Sequence, residues 1–303
     1  MKSLSKNAFE RAAEFIASNA RPLERAQFDF HFGSGSVEDV LTELAKFQND
    51  DGGFGHGVEP DVGMPNSSPF VSSVAFQILA ELDVPAEHSI VRDGIAYFER
   101  SYDDSIDGWD PTGPAVDDHP RAPWWNYSAV EGRLDAIKRS NPGAEIVGYL
   151  HRYGEVSNGD FVRTMTQDAL RTFEELPDDM EVHSMMCFMR LAELGPSGVT
   201  EQLLPKLQRG VHLVVGTSAT EWAVYGGRPL WLAGSPDSLL ANELGESIPI
   251  QLDYEIDSQS EDGSWMPNWA WGQYEDVWEQ AKLEWAGYLT LRNLMALKAW
   301  SRL

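Results

Sequence analysis

Between Gly53 and Pro69 the chain sets His56, Glu59 and Asp61 within six positions, with Asn66 close behind, among glycines and prolines that impose a non-helical path. An imidazole and two carboxylates at this spacing can supply a general acid and base, or ligands for a hard cation. The competing expectation is a proline-braced loop whose acids cap the next helix. A second segment, Asp117 to Tyr127, places Trp124, Trp125 and Tyr127 just ahead of a helix expected over about residues 128–139. A third, Trp265 to Trp278, carries Trp269, Trp271, Tyr274 and Trp278 beside Glu275 and Asp276, before an apolar helix expected over about residues 280–300. Aromatic faces beside carboxylates suit a cation through the ring quadrupole, and they suit sugar rings by stacking. His183 follows Glu181 at the start of a helix expected from Val182 to Leu194. The candidates are therefore His56, Glu59, Asp61 and Glu275 for catalysis, and Trp124, Trp125, Tyr127, His183, Trp222, Trp269 and Trp271 for holding a ligand. Cys187, set among Met185, Met186, Phe188 and Met189, reads as buried and inert.

The elements that position these residues are helices. Val40, Leu41, Leu44 and Phe47, then Val71, Val74, Ala75, Ile78, Leu79 and Leu82, recur at three and four residues, and strand-like alternation is nearly absent. Three of the breaks between apolar runs share a motif: Phe47-Gln48-Asn49-Asp50-Asp51-Gly52-Gly53-Phe54, then Tyr102-Asp103-Asp104-Ser105-Ile106-Asp107-Gly108-Trp109, then Ser258-Gln259-Ser260-Glu261-Asp262-Gly263-Ser264-Trp265. Their Asp-Gly steps are spaced 56 and then 155 residues apart, the second close to three units of about 52. Degenerate copies are expected at Asn158-Gly159-Asp160-Phe161 and at Thr217 to Trp222. In each copy, Asp-Gly ends a helix with a residue able to take positive φ, and the aromatic residue turns back over the helix end. Gln48 and Gln259 can bond orphan carbonyls or the backbone of the next repeat. The motif residues, Trp109 and Trp265 included, thus read as architectural.

Gln-x-x-Asp-Gly-Gly-Phe and Gln-x-x-Asp-Gly-Ser-Trp resemble the QW-type repeats of the terpenoid cyclase and protein prenyltransferase superfamily. The run Gly52 to Gly57, followed by Ser67 to Leu79, is similar to the prenyltransferase β-subunit loop and its inner helix. The resemblance spans roughly residues 36–300 and implies an all-α fold, an α/α toroid of about six helical hairpins around a central cavity. The family's zinc ligands do not recur: Trp265 is followed by Met266-Pro267-Asn268-Trp269, the only cysteine is Cys187, and no histidine follows His212. The Asp-x-Asp-Asp acid of class II cyclases is missing as well. Asp103-Asp104-Ser105-Ile106-Asp107 matches the string that holds magnesium-diphosphate in class I terpene synthases, yet it falls where the repeat calls for a turn.

Composition narrows the rest. The chain has 303 residues with 48 acidic against 23 basic side chains, a net charge of −25, which argues against nucleic-acid backbone binding. One cysteine excludes an intramolecular disulfide framework. Arg11 and Glu14 interrupt the apolar positions of the opening segment, so no secretory leader is expected, and no apolar run is long enough to span a bilayer. These features point to a cytoplasmic globule, and the length allows one domain or two; the repeat and the resemblance imply a single toroid domain over residues 1–303, for which no cofactor is expected and no metal ligands are assigned. Its expected partner is an isoprenoid-like or other apolar small molecule in a central aromatic cavity. The alternatives are a carbohydrate-active α/α barrel of hydrolase or lyase type, and a noncatalytic interaction module.

Overall fold

A computed structural model describes residues 1–303, the side chains at 135 and 136 excepted. The regular secondary structure is all helical, and among the described residues the only sheet-like pairings are isolated bridges. The longer helices are α1 (Lys6–Asn19), α2 (Pro22–Phe32), α3 (Val37–Leu44), α4 (Pro69–Glu81), α5 (Ser89–Arg100), α6 (Gly143–Arg152), α7 (Gly159–Glu175), α8 (Val182–Leu194), α9 (Ser197–Val214), α10 (Ile248–Ser258) and α11 (Glu275–Ala299). They form two compact units, Ala45–Gly210 and Met1–Leu44 with Val211–Leu303.

In the unit Ala45–Gly210, α6 is the hub. Its residues from Gly143 to Leu150 are all buried, because α4, α5, α7 and α8 pack around it. The starts of these helices are written in the sequence. Ser68 caps α4 by accepting from the Val71 amide, with Pro69 at the first helical position, and Asn158 caps α7 by accepting from the Asp160 and Phe161 amides. On α4 the expected positions Val71, Ala75 and Leu79 are buried while Val74 and Ile78 are half-buried, Phe76 joining the buried face instead, and α8 has the expected bounds.

In the unit Met1–Leu44 with Val211–Leu303, α1, α2 and α11 pack on one another and α3 lies against α2. Ser5 caps α1, which buries Ala8, Ala12, Phe15 and Ile16 along one stripe.

The motif turns behave as their chemistry requires. Gly52 and Gly263 sit at φ +84° and +93°, in the left-handed region, and each faces neighbouring backbone so closely that a Cβ would lie 2.2 Å from the Asp93 carbonyl oxygen or 2.4 Å from the Arg11 carbonyl carbon. The Gln48 amide donates to the carbonyls of Gly52 and Ile90 at 2.9 and 3.0 Å; the Gln259 amide donates to those of Gly263 and Ala8, both at 3.0 Å. The amides of Phe54 and Trp265 donate to the hydroxyls of Ser72 and Thr290 on the following helices α4 and α11. The first and third motifs are thus bond-for-bond equivalent, and α1 stands to the third as α5 stands to the first. In the second motif Asp107, rather than Gly108, takes positive φ, and the Trp109 indole donates to the Phe98 carbonyl as that of Trp265 does to Glu255.

Four expectations change. Asn158 to Phe161 begins α7 instead of ending a helix, since the Asn158 side chain caps the amides ahead of it. Thr217 to Trp222 likewise begins a short helix, Ala219–Trp222, capped by Ser218 with Glu221 reaching back to the Thr217 amide. The helix expected over 128–139 is two pieces, Tyr127–Glu131 and Leu134–Ile137, interrupted at Gly132 and Arg133. The last helix begins at Glu275, so the acids placed in the preceding loop occupy its first turn, where they suit the helix dipole. No helix is long and apolar enough to cross a membrane among the described residues.

Candidate functional site

In the unit Ala45–Gly210 the loop carrying His56, Glu59 and Asp61 runs against the segment leading to Trp124 and Trp125. The Gly63 amide donates to the Pro120 carbonyl, and the Ala122 amide to the Asp61 carbonyl, both at 2.9 Å. Glu59 and Asp61 are buried, and Glu59 Oε2 accepts from the Asp61 amide at 2.8 Å, tightening the turn. Arg121, also buried, spans the neighbouring turn by donating to the carbonyls of Asp117 and His119 and pairing with the Asp117 carboxylate at 2.6 Å. His56 is exposed at positive φ, its Nε2 2.9 Å from Asn49 Oδ1; the Asn49 amide in turn donates to Pro65 and Ser67. This part of the loop is joined to the motif turn as a brace.

Beyond the paired loops the rings gather. Trp125 is buried against Phe70 with centroids 4.1 Å apart, and the Arg133 guanidinium lies 5.5 Å from the Trp125 ring while donating to the Trp124 carbonyl. Tyr127 donates to Asp110 Oδ2 at 3.0 Å, and its amide donates to Asp117. Desolvation by its neighbours lowers the pKa of Arg133, and the charge of Glu181, at the start of α8, works against that shift. There Glu181 Oε2 accepts from the amides of His183 and Ser184, and Oε1 pairs with His183 Nδ1. Burial raises the Glu181 pKa, but the bonds and charge of His183 outweigh it and hold the carboxyl below its ordinary value. A carboxylate fixing Nδ1 orients an imidazole for proton exchange at its other nitrogen. Arg133 thus touches Trp124 and Trp125 and lies within reach of the Glu181 charge, while the Ala122 amide joins the tryptophan segment to Asp61.

The other unit holds Trp222, Trp269, Trp271 and Glu275. Trp222 is buried, its indole donating to the Gly216 carbonyl and its ring 5.4 Å from Tyr254, so it braces the turn. Trp271 is buried against Trp278 at 5.4 Å, and Glu275 is exposed on the first turn of α11. Trp269 is the member that joins a larger array. Its ring stands edge-on to Tyr225 at 5.5 Å and to Trp285 at 5.1 Å; Tyr225 continues to Trp231 and Trp285 to Tyr288, giving a row of five part-exposed rings. The buried indole nitrogen of Trp269 has no hydrogen-bond partner among protein atoms.

Sequence reasoning missed Tyr225, Trp231, Trp285 and Tyr288, although Trp285 and Tyr288 stand three apart on one helix, a spacing that signals a shared face. It also missed three glutamates, Glu24, Glu145 and Glu255, buried beside arginines. Glu255 accepts from Arg228 and Gln251 at 2.9 and 3.0 Å, Glu145 pairs with Arg190 at 2.7 Å, and Glu24 pairs with Arg21. The arginines facing Glu145 and Glu255 come from another helix and from a loop, so no local residue pattern marks these two acids as buried.

The aspartate string is used by its turn. Asp103 Oδ1 accepts from the Ser105 amide and hydroxyl, and Asp107 accepts from Tyr102 and pairs with Arg139. Among the described residues no group of three or more His, Cys, Asp or Glu side chains is placed to hold a metal ion. A groove of about 460 Å³ on the unit Ala45–Gly210 is lined by Leu150, His151, Val162, Thr166, Leu170 and Val199. Comparison of the chain with protein-family models, curated proteins and solved structures gives no match.

Proposed function

We propose that this protein binds an isoprenoid-like or other apolar small molecule on an aromatic wall, within hairpins that close as an α/α toroid of the terpenoid cyclase and prenyltransferase type. The row Trp231, Tyr225, Trp269, Trp285 and Tyr288 carries the reading: five adjoining rings left part-exposed offer a broad apolar face, which water solvates poorly. The equivalence of the first and third motif turns supports the architecture. A second reading, a carbohydrate ligand, rests on the same row, since part-exposed rings also stack on the apolar faces of sugars.

Titration of the tryptophan fluorescence with farnesol and, separately, with maltoheptaose separates the two. The first reading expects saturable quenching by farnesol that Trp285→Ala and Trp269→Ala weaken at least tenfold, with no response to the sugar. Saturation by the sugar alone selects the second reading, and response to neither overturns both.

A further inference from the structure

The groove of about 460 Å³ on the unit Ala45–Gly210 lies between α6, α7 and α9, and its volume falls in the range of small-molecule sites. The aromatic row belongs to the other unit. Leu150 from α6, Val162 and Leu170 from α7 and Val199 from α9 give the groove apolar walls, which favour an apolar occupant. Two of its polar residues, His151 and Thr166, are held by bonds that fix where their hydrogens lie. Thr166 Oγ1 is 2.6 Å from the Val162 carbonyl oxygen and 2.7 Å from His151 Nε2. A carbonyl only accepts, so the hydroxyl donates to Val162 and its oxygen accepts from Nε2–H. His151 is therefore the Nε2-protonated tautomer, and its Nδ1 is a hydrogen-bond acceptor. Nδ1 bonds to none of the described residues and remains accessible from the surface. Burial lowers the pKa of the ring, which keeps it neutral at neutral pH. Arg163 is the one permanently charged residue lining the groove, and Asp160 pairs with it at 2.6 Å. No carboxylate lines the groove among the described residues, in a chain of net charge −25. In charge as in shape, the groove complements a neutral molecule.

We propose that this groove is a ligand site in its own right, taking a neutral apolar molecule that carries a hydroxyl group: the apolar body lies along Leu150, Val162, Leu170 and Val199, and the hydroxyl donates to His151 Nδ1. The walls supply affinity through buried apolar area and the imidazole supplies selection. A ligand of the same shape without a donor would take Nδ1 out of water and give it no bond, so the site discriminates against it. Thr166 is the positioning residue, because its bond to the Val162 carbonyl fixes the tautomer that leaves Nδ1 as the acceptor.

Long-range nitrogen-15 NMR of the full-length protein reads the His151 ring directly, with His151→Gln assigning its resonances. The protein is titrated with para-propylphenol and, separately, with para-propylanisole, the methyl ether of the same body, and affinities are read on the methyl resonances of Val162 and Val199. The proposal expects Nε2 protonated in the free protein, a saturable upfield shift of Nδ1 with the phenol, and about tenfold weaker binding of the ether. Leu170→Trp, which fills the groove, should abolish the response to the phenol. A proton on Nδ1 in the free protein, no saturable response to the phenol, or equal affinity for the ether overturns it. Should Leu170→Trp fail to fold, the comparison of phenol and ether on the unaltered protein decides. No tryptophan lines the groove, so the fate of the aromatic row, read by tryptophan fluorescence, is settled separately.

Discussion

Replacing Gln259 by Ala tests whether the motif acts as an inter-helix clamp. The side chain donates two neutral hydrogen bonds of 3.0 Å, one closing its own turn at Gly263 and one reaching Ala8 on α1, and accepts a long one of 3.5 Å from Arg11 on the same helix. At about 1 kcal/mol net for each donated bond, the loss should be about 2 kcal/mol. Gln48→Ala removes the corresponding bonds to Gly52 and Ile90, of 2.9 and 3.0 Å, and should cost the same within about 1 kcal/mol. Gly263→Ala should be worse than either. A left-handed conformation costs a non-glycine residue roughly 1–2 kcal/mol, and the new Cβ also meets α1 backbone at 2.4 Å, which no rotamer change can relieve. A loss above about 3 kcal/mol is expected. Gly198→Ala, on a helix and facing open space, is the control, with a gain of up to about 1 kcal/mol. Urea midpoints followed by circular dichroism measure all four. A change under about 0.5 kcal/mol for Gln259→Ala, or Gly263→Ala no worse than the control, would refute the clamp.

The remaining predictions concern charge. His151 is bonded through Nε2 to Thr166 at 2.7 Å, and burial lowers its pKa below the ordinary 6.5, so the unfolded chain takes up a proton first as pH falls. Stability should therefore decline as pH drops from about 6.5 towards the folded-state pKa, and His151→Asn should flatten that part of the melting-temperature profile; an unchanged slope counts against the assignment. Arg190→Met strands the Glu145 carboxylate and should cost about 3 kcal/mol or more by chemical denaturation, with over half recovered in the double variant carrying Glu145→Gln; simple additivity would contradict the pairing. A net charge of −25 implies self-repulsion, so calorimetry should show a higher melting temperature in 1 M than in about 0.05 M sodium chloride, and a fall would mean that surface pairs dominate.

The helices and the motif turns were legible because both rest on local rules. Apolar residues spaced by three and four mark the buried stripes of α3 and α4, and Asp-Gly before an aromatic residue marks a turn that only positive φ can close. The degenerate copies misled because Asn158 and Ser218 are strong helix caps, and a cap and a helix-ending turn draw on the same residue types. Among the candidate site residues, Trp125 and His183 were legible as types and Trp269 as one member of a cluster. Their neighbours were not. Arg133, in the break of the helix expected over 128–139, lies 5.5 Å from the Trp125 ring, and Trp285 meets Trp269 only through tertiary packing.

The carboxylates show why residue type alone misplaced the chemistry. Asp51, Asp103 and Asp262 each turn one oxygen back on the amide two residues ahead, at 3.0, 2.8 and 3.0 Å, so the acid-rich repeats are built from side chains closing their own turns. Glu59 does the same for Asp61, which gives a buried acid in a promising loop an architectural duty. Glu181 divides its oxygens instead: Oε2 caps α8, while Oε1 holds the ring of His183. The capping duty fixes the carboxylate by backbone geometry, and a fixed carboxylate can in turn fix an imidazole. On this ground the pair Glu181 and His183 has a stronger structural basis for acid–base chemistry than the richer cluster of His56, Glu59 and Asp61.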